Sequence, residues 1–293
     1  MNLKQQLLSK MPIIRNLVTI INKLTVMKKL ISVLVFLGVF SIYSFGQSFV
    51  APTSRSDIGL VRSFLIDEMV YPEEELTSNI QGTVEVSFTV DKDGNAHHFE
   101  IAKGLSPALD REALRLIRLI VWRPASSNGT VISAPHSFEI KFNIRQYLKR
   151  LKQEAGKPIV QFDTDADTSY RIVNFASLDV APTPIIAGGK MQVNNYIQKQ
   201  LRYPEAAFRL NLSGTVTIGF VVETDGHVSN IHVIQSLGGG CDQEAIRIIQ
   251  SIHWTPGLKD DQRVRCDNKL DISFMLNDES KGNYIPNRQE NGI

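Results

Sequence analysis

The residues with chemical potential in this 293-residue chain fall in four places. His97-His98 offers two adjacent imidazoles, a common pair of metal ligands. The surrounding alternation predicts a strand there, on which neighbours point to opposite faces, so no metal is expected. Asp91-Lys92-Asp93-Gly94 begins like a calcium loop, but the glycine comes early and the closing glutamate is missing. A hairpin turn is the expected reading. Gly238-Gly239-Gly240 ahead of Asp242 could cradle an anion at a helix start, yet the other copy of the repeat has Ser106-Pro107-Ala108 there, which favours a plain loop. Cys241 and Cys266 are the only cysteines. They form no zinc spacing, and they either pair in an oxidising compartment or serve as two small core residues. His232 and His253 read as surface or helix-end residues. No Gly-x-Ser-x-Gly motif and no Ser/His/Asp order suggests a nucleophile. The chain is therefore expected to be no enzyme, with no cofactor, no metal and no small-molecule substrate.

The elements that carry these residues follow from an internal repeat. Tyr71-Pro72-Glu73 recurs as Tyr203-Pro204-Glu205, and Gly82-Thr83-Val84 as Gly214-Thr215-Val216. Phe88, Asp93-Gly94, Asp110, Glu112, Ala113, Trp122, Pro124, Ile140 and Phe142 return as Phe220, Asp225-Gly226, Asp242, Glu244, Ala245, Trp254, Pro256, Ile272 and Phe274. Every pair is 132 positions apart, so the copies align without a gap.

Each copy predicts the same elements. Leu60, Val61, Phe64, Leu65 and Met69, and in the second copy Val193, Tyr196, Ile197 and Leu201, lie at helical spacing. Proline then stops that helix and starts a short one. Residues 82–90 alternate apolar with polar, as a half-buried strand does, and Asp-Gly supplies the hairpin into a second strand, His97–Ala102 or Val228–Gln235. Asp110 and Asp242 stand where helix N-caps are expected. A last strand is expected over Ser137–Ile144 and Lys269–Leu276. The fold class is α+β: two tandem modules, each helix-strand-strand-helix-strand with a three-stranded antiparallel sheet covered by helices on one face.

The amino end reads as a signal region over 1–46. Met27-Lys28-Lys29 precedes an apolar run from Leu30 to Phe45, and small residues at Ser44 and Gly46 place a cut before Gln47. The alternative is an inner-membrane anchor formed by residues 30–45, and translation could start at Met1 or Met27. Module 1 is expected over 50–145, a linker over 146–181, module 2 over 182–278 and a disordered tail over 279–293. Lys149-Arg150-Leu151-Lys152 is the densest basic cluster and reads as solvated linker. With a formal charge of only +2, nothing suggests nucleic acid as a partner.

The ordered set Tyr-Pro, Gly-Thr-Val, Asp-Gly, Asp-x-Glu-Ala and Trp-x-Pro, found twice, resembles the TonB carboxy-terminal domain family. Pro184-Ile185-Ile186-Ala187-Gly188-Gly189 resembles the Pro-Gly-Gly lead-in of such domains in Bacteroidetes-type bacteria, and the first copy has Ser56-Asp57 in place of the two glycines. The resemblance implies a periplasmic protein that pairs a strand edge with a short segment of an envelope protein, such as a TonB-dependent outer-membrane transporter. Energy-transducing members carry a membrane anchor and a long Pro-rich spacer. The stretch 146–181 is not Pro-rich and lacks that stiff reach.

An outer last strand would expose unpaired backbone groups to an incoming peptide. The candidate edge residues are Phe138, Glu139, Ile140, Lys141 and Phe142, and Leu270, Asp271, Ile272, Ser273 and Phe274. Their apolar side chains are expected in the core, with binding left to the backbone. The alternative function is structural: a cell-wall-associated or self-associating envelope protein with no transport role.

Overall fold

A computed structural model describes residues 48–155, 161–186 and 193–276. The signal region, the Gly188-Gly189 lead-in and the tail lie outside the described residues.

The first module opens with helix α1 (Ile58–Glu68), capped by Asp57, whose carboxylate accepts from the Gly59 N–H. Val61 and Leu65 form its buried stripe. The helix stops because Met69 turns extended ahead of Tyr71-Pro72, and Pro72 leads into the short helix α2 (Glu73–Thr77). Strand β1 (Gly82–Val90) buries Val84, Val86, Phe88 and Val90 and exposes the residues between more fully, as period two requires. Gly94 takes φ 87° in the hairpin to β2 (Ala96–Lys103), where a Cβ would stand 2.6 Å from the Trp122 carbonyl oxygen. Helix α3 (Pro107–Ile117) covers the sheet, and β3 (Ala134–Phe142) completes it in the order β2-β1-β3.

The chain then departs from a simple linker. Helix α4 (Ile144–Glu154) follows β3 directly, capped by Asn143. Ile144 and Tyr147 pack onto the first core, with Tyr147 5.4 Å from Tyr71 between ring centroids. Arg150, expected on a solvated linker, donates to the Asp67 and Met69 carbonyls and sits over the Tyr147 ring. Strand β4 (Ile172–Val173) joins the second module's sheet.

The second module repeats the plan with α5 (Val193–Gln200), α6 (Glu205–Arg209), β5 (Gly214–Val222), β6 (Val228–Gln235), α7 (Cys241–Ser251), β7 (Gly257–Lys259) and β8 (Gln262–Phe274). Its sheet is larger than the three strands expected. The order is β6-β5-β8-β7, and β4 lies parallel to β8 at Arg265 and Cys266. The final strands also begin earlier than their alternation suggested, at Ala134 and Gln262. Two clusters, one per module, form the cores.

Three local expectations are corrected. Asp110 and Asp242 are not N-caps: Ser106 caps α3 and Gly240 precedes α7. Asp110 is the fourth residue of α3 and Asp242 the second of α7, and they reach back to the Leu105 and Leu237 N–H groups. His97 and His98 do not diverge. His98 lies at φ 54° beside a register shift in the β1–β2 pairing, and this bulge brings the two Nδ1 atoms within 2.8 Å.

Cys241 and Cys266 are both free and fully buried. Burial, with Asp242 adding, pushes the Cys241 thiol up to about 11. Burial likewise pushes Cys266 up to about 12. Thiols this far from ionisation are poor nucleophiles. Intact mass of the native protein is expected to lack the two-hydrogen deficit of a disulfide, and iodoacetamide at neutral pH to label both residues only after unfolding. Rapid native labelling would contradict this assignment.

Candidate functional site

The recurring motif residues turn out to hold the backbone. Glu112 accepts from the Val70 N–H at 2.8 Å, and Arg115, clamped to Glu112, donates to the Glu68 carbonyl at 2.6 Å. One repeat later, Glu244 accepts from Arg202 N–H at 2.7 Å and Arg247 donates to the Gln200 carbonyl at 2.7 Å. Each pair satisfies backbone groups freed where the first helix ends before Tyr-Pro. Tyr71 and Tyr203 donate to the Ile80 and Leu212 carbonyls. At Gly226, φ 85°, a Cβ would approach the Trp254 carbonyl oxygen to 2.0 Å, so Asp-Gly and Trp-x-Pro form one packed unit. The three glycines 238–240 are all left-handed, and Gly239 packs against Ala207, which fits the expected loop.

The candidate edges divide by atom type. Ile140, Phe142, Ile272 and Phe274 are fully buried, and Phe138 and Leu270 pack half-buried on the same cores. Glu139, Lys141 and Asp271 are exposed, and Ser273 is half-buried. β3 pairs with β1 from Val90↔Ala134 to Gly82↔Phe142, and among the described residues no strand pairs on its other side. β8 pairs with β5 from Val222↔Cys266 to Gly214↔Phe274. On its far side β7 and β4 cover it only as far as Cys266.

Beyond Cys266 this edge is dressed by side chains. Asn268 Oδ1 accepts from the Lys269 N–H at 2.8 Å, and Gln198 Nε2 donates to the Ser273 carbonyl at 3.2 Å. These groups point away from β5, so the backbone of 269, 271 and 273 faces outward. The constant offset assigns the same direction to 137, 139 and 141 in β3.

Sequence reasoning missed the junction between modules. The Asn230 amide grips the first module twice: Nδ2 donates to the Leu119 carbonyl at 2.9 Å, and Oδ1 accepts from the Val121 N–H at 2.8 Å. Arg265 donates to the same Leu119 carbonyl at 2.8 Å and to the Tyr170 carbonyl at 2.9 Å. Its remaining N–H groups hold Glu223 at 2.7 and 2.8 Å, and Ser229 also donates to Glu223. Arg265 is 4% exposed and Glu223 5%. The first copy has Asp91, His98 and Ser133 at the positions of Glu223, Asn230 and Arg265. Polar residues inside a strand pattern, differing between otherwise matching copies, were the available signal.

Beside the junction lies a cleft of about 1000 Å³. Phe64, Ile231 and Ile252 line its apolar part, and Glu68, Asp225 and His227 its polar part. His227 Nδ1 is 2.9 Å from Asp225 Oδ2, and this contact raises the imidazole above its ordinary value. Burial, together with the Asp225 and Glu223 charges, holds the Glu68 carboxyl up at about 7.

The family model for the Gram-negative bacterial TonB protein C-terminal matches residues 67–144 and 199–276, more than half of the chain. The chain belongs to the TonB C-terminal family. The two matches are again 132 positions apart, and each runs from the end of one module's first helix through its last strand. The family is one of non-enzymatic protein-interaction domains of the cell envelope, related to transport. No curated protein matches the chain. Among the described residues no helix is long and apolar enough to cross a membrane.

Proposed function

We propose that this TonB C-terminal protein is exported to the periplasm and captures extended segments of envelope proteins, among them outer-membrane transporters, by strand addition at β3 and secondarily at β8. The observation that supports this most directly is the one-sided pairing of β3, whose outward backbone at 137, 139 and 141 meets no other strand among the described residues. Added main-chain hydrogen bonds would supply affinity, and the exposed Glu139 and Lys141 would bias the choice of segment. The Asn268 and Gln198 contacts favour β8 as the weaker acceptor, because an incoming strand must displace them.

Proline at 139 removes an outward N–H while leaving the inward ladder to β1 in place. Glu139→Pro is expected to lose the envelope proteins that wild type captures, Glu139→Ala to keep most of them, and Asp271→Pro to cause a smaller loss. Undiminished capture by both proline variants would end the proposal. The structural reading draws support from the interlocked modules. Under it, β3 would pair with a second copy, and sedimentation would show a dimer that Glu139→Pro dissociates.

A further inference from the structure

We infer that Glu68, Asp225 and His227 form a binding site for one divalent ion of the zinc type, bridging the two modules. Their ligand atoms, one per side chain, already lie within 4.8 Å of one another. Glu68 is remote in sequence from the other two. Glu68 closes α1 of the first module, whereas Asp225 and His227 flank Gly226 in the β5–β6 hairpin of the second. The third ligand comes from another module, which is why the absence of a zinc motif in the sequence does not bear on this site.

The geometry requires only a small rearrangement: the Asp225–His227 pair, 2.9 Å apart, opens slightly and Glu68 closes in. Tetrahedral zinc with bonds of about 2.0–2.2 Å sets its ligand atoms about 3.3–3.6 Å apart. Asp225 and His227 have side chains 47% and 58% exposed, so rotation can close the difference. The backbone under them cannot drift, because Gly226 is packed on the Trp254 carbonyl. His227 Nδ1 and Asp225 Oδ2 share a hydrogen bond at 2.9 Å, and an ion would become the partner common to both. One imidazole and two carboxylates suit zinc. The adjoining cleft leaves room for water to complete the shell. His253, whose ring stands edge-on to His227 at 4.7 Å, borders the same site.

The surroundings also call for a cation. Glu68 faces the charges of Asp225 and, beyond it, the Arg265-paired Glu223. Of the nearby guanidinium groups, Arg265 is paired with Glu223, Arg150 stands 3.9 Å from Glu154, and Arg115, clamped to Glu112, only partly offsets Glu68. A calcium ion would want six to eight oxygens, which three side chains with an imidazole among them do not offer.

Calorimetric titration of the full mature chain with zinc chloride tests the site. One ion per chain and a rise in melting temperature are expected, with no rise from calcium chloride. Glu68→Gln and His227→Ala should each weaken binding by about tenfold or more, while the double variant His97→Ala, His98→Ala should not. Circular dichroism of each variant checks that it folds. A readout on the unmutated protein stands beside this: zinc should protect His227 from diethylpyrocarbonate, mapped by mass spectrometry. Unchanged affinity in folded Glu68→Gln and His227→Ala, protection confined to His97 and His98, or stabilisation by calcium in place of zinc would overturn the inference. Glu139→Pro should leave zinc binding intact, which separates this site from the proposed strand edge.

Discussion

Arg265→Met is expected to cost about 3–5 kcal/mol of unfolding free energy, the loss typical of breaking a buried ion pair from one side. The arginine satisfies the Glu223 carboxylate and the carbonyls of Leu119 and Tyr170 at once. Its removal strands a carboxylate that is 5% exposed, with Ser229 as the remaining donor. Adding Glu223→Gln to Arg265→Met should restore part of the loss, since a neutral amide tolerates burial better than an unpaired charge. Urea denaturation followed by tryptophan fluorescence reads both, because Trp122 and Trp254 lie in different modules. A loss below about 1 kcal/mol, the range of exposed pairs, would mean that water reaches the junction.

The second large effect concerns the last strands. Phe274→Ala should destabilise the protein by about 3–5 kcal/mol, as deletion of a fully buried aromatic ring does. Phe274 meets Tyr203 edge-on at 5.9 Å, and Phe142 meets Tyr71 in the same way at 5.9 Å, so Phe142→Ala should behave alike. The neighbouring Asp271→Ala, on the exposed face where it accepts from Thr217 Oγ1, should change stability by no more than about 0.5–1 kcal/mol. The contrast separates side chains that build the core from the backbone edge beside them. Comparable losses at 271 and 274, measured by chemical denaturation, would contradict the register described here.

Most of each module was legible from residue pattern alone. Alternation identified Val84, Val86, Phe88 and Val90 as one buried face, and the spacing of Asp-Gly located both hairpins. These features are local, and their physical causes act over a few residues. What escaped was set by contacts made at long range. The bulge at His98 and Asn230 changes the direction of a side chain through one positive φ, which period-two reasoning cannot see. Ser106 and Gly240 displaced the aspartates as caps because α3 begins three residues before Asp110 and α7 one residue before Asp242. Strand β4 is only two residues long, and it exists because Arg265 and Cys266 offer it a partner some ninety positions away. The Arg265–Glu223–Asn230 junction has no meaning within a single module. It reads in the sequence only as a mismatch between copies.

The way α4 and β4 bind the intervening chain into both modules has a thermodynamic consequence. Two domains on a floppy tether surrender configurational freedom when a bivalent partner engages the second of them. Here that freedom was already given up during folding, so a partner with two strand-forming segments at matching separation would gain nearly the full benefit of its second contact. One whose segments are spaced differently would gain none. Selectivity for paired ligands would then reside in a distance held constant by the junction, and loosening Arg265 would blur that selectivity before it weakened either single contact.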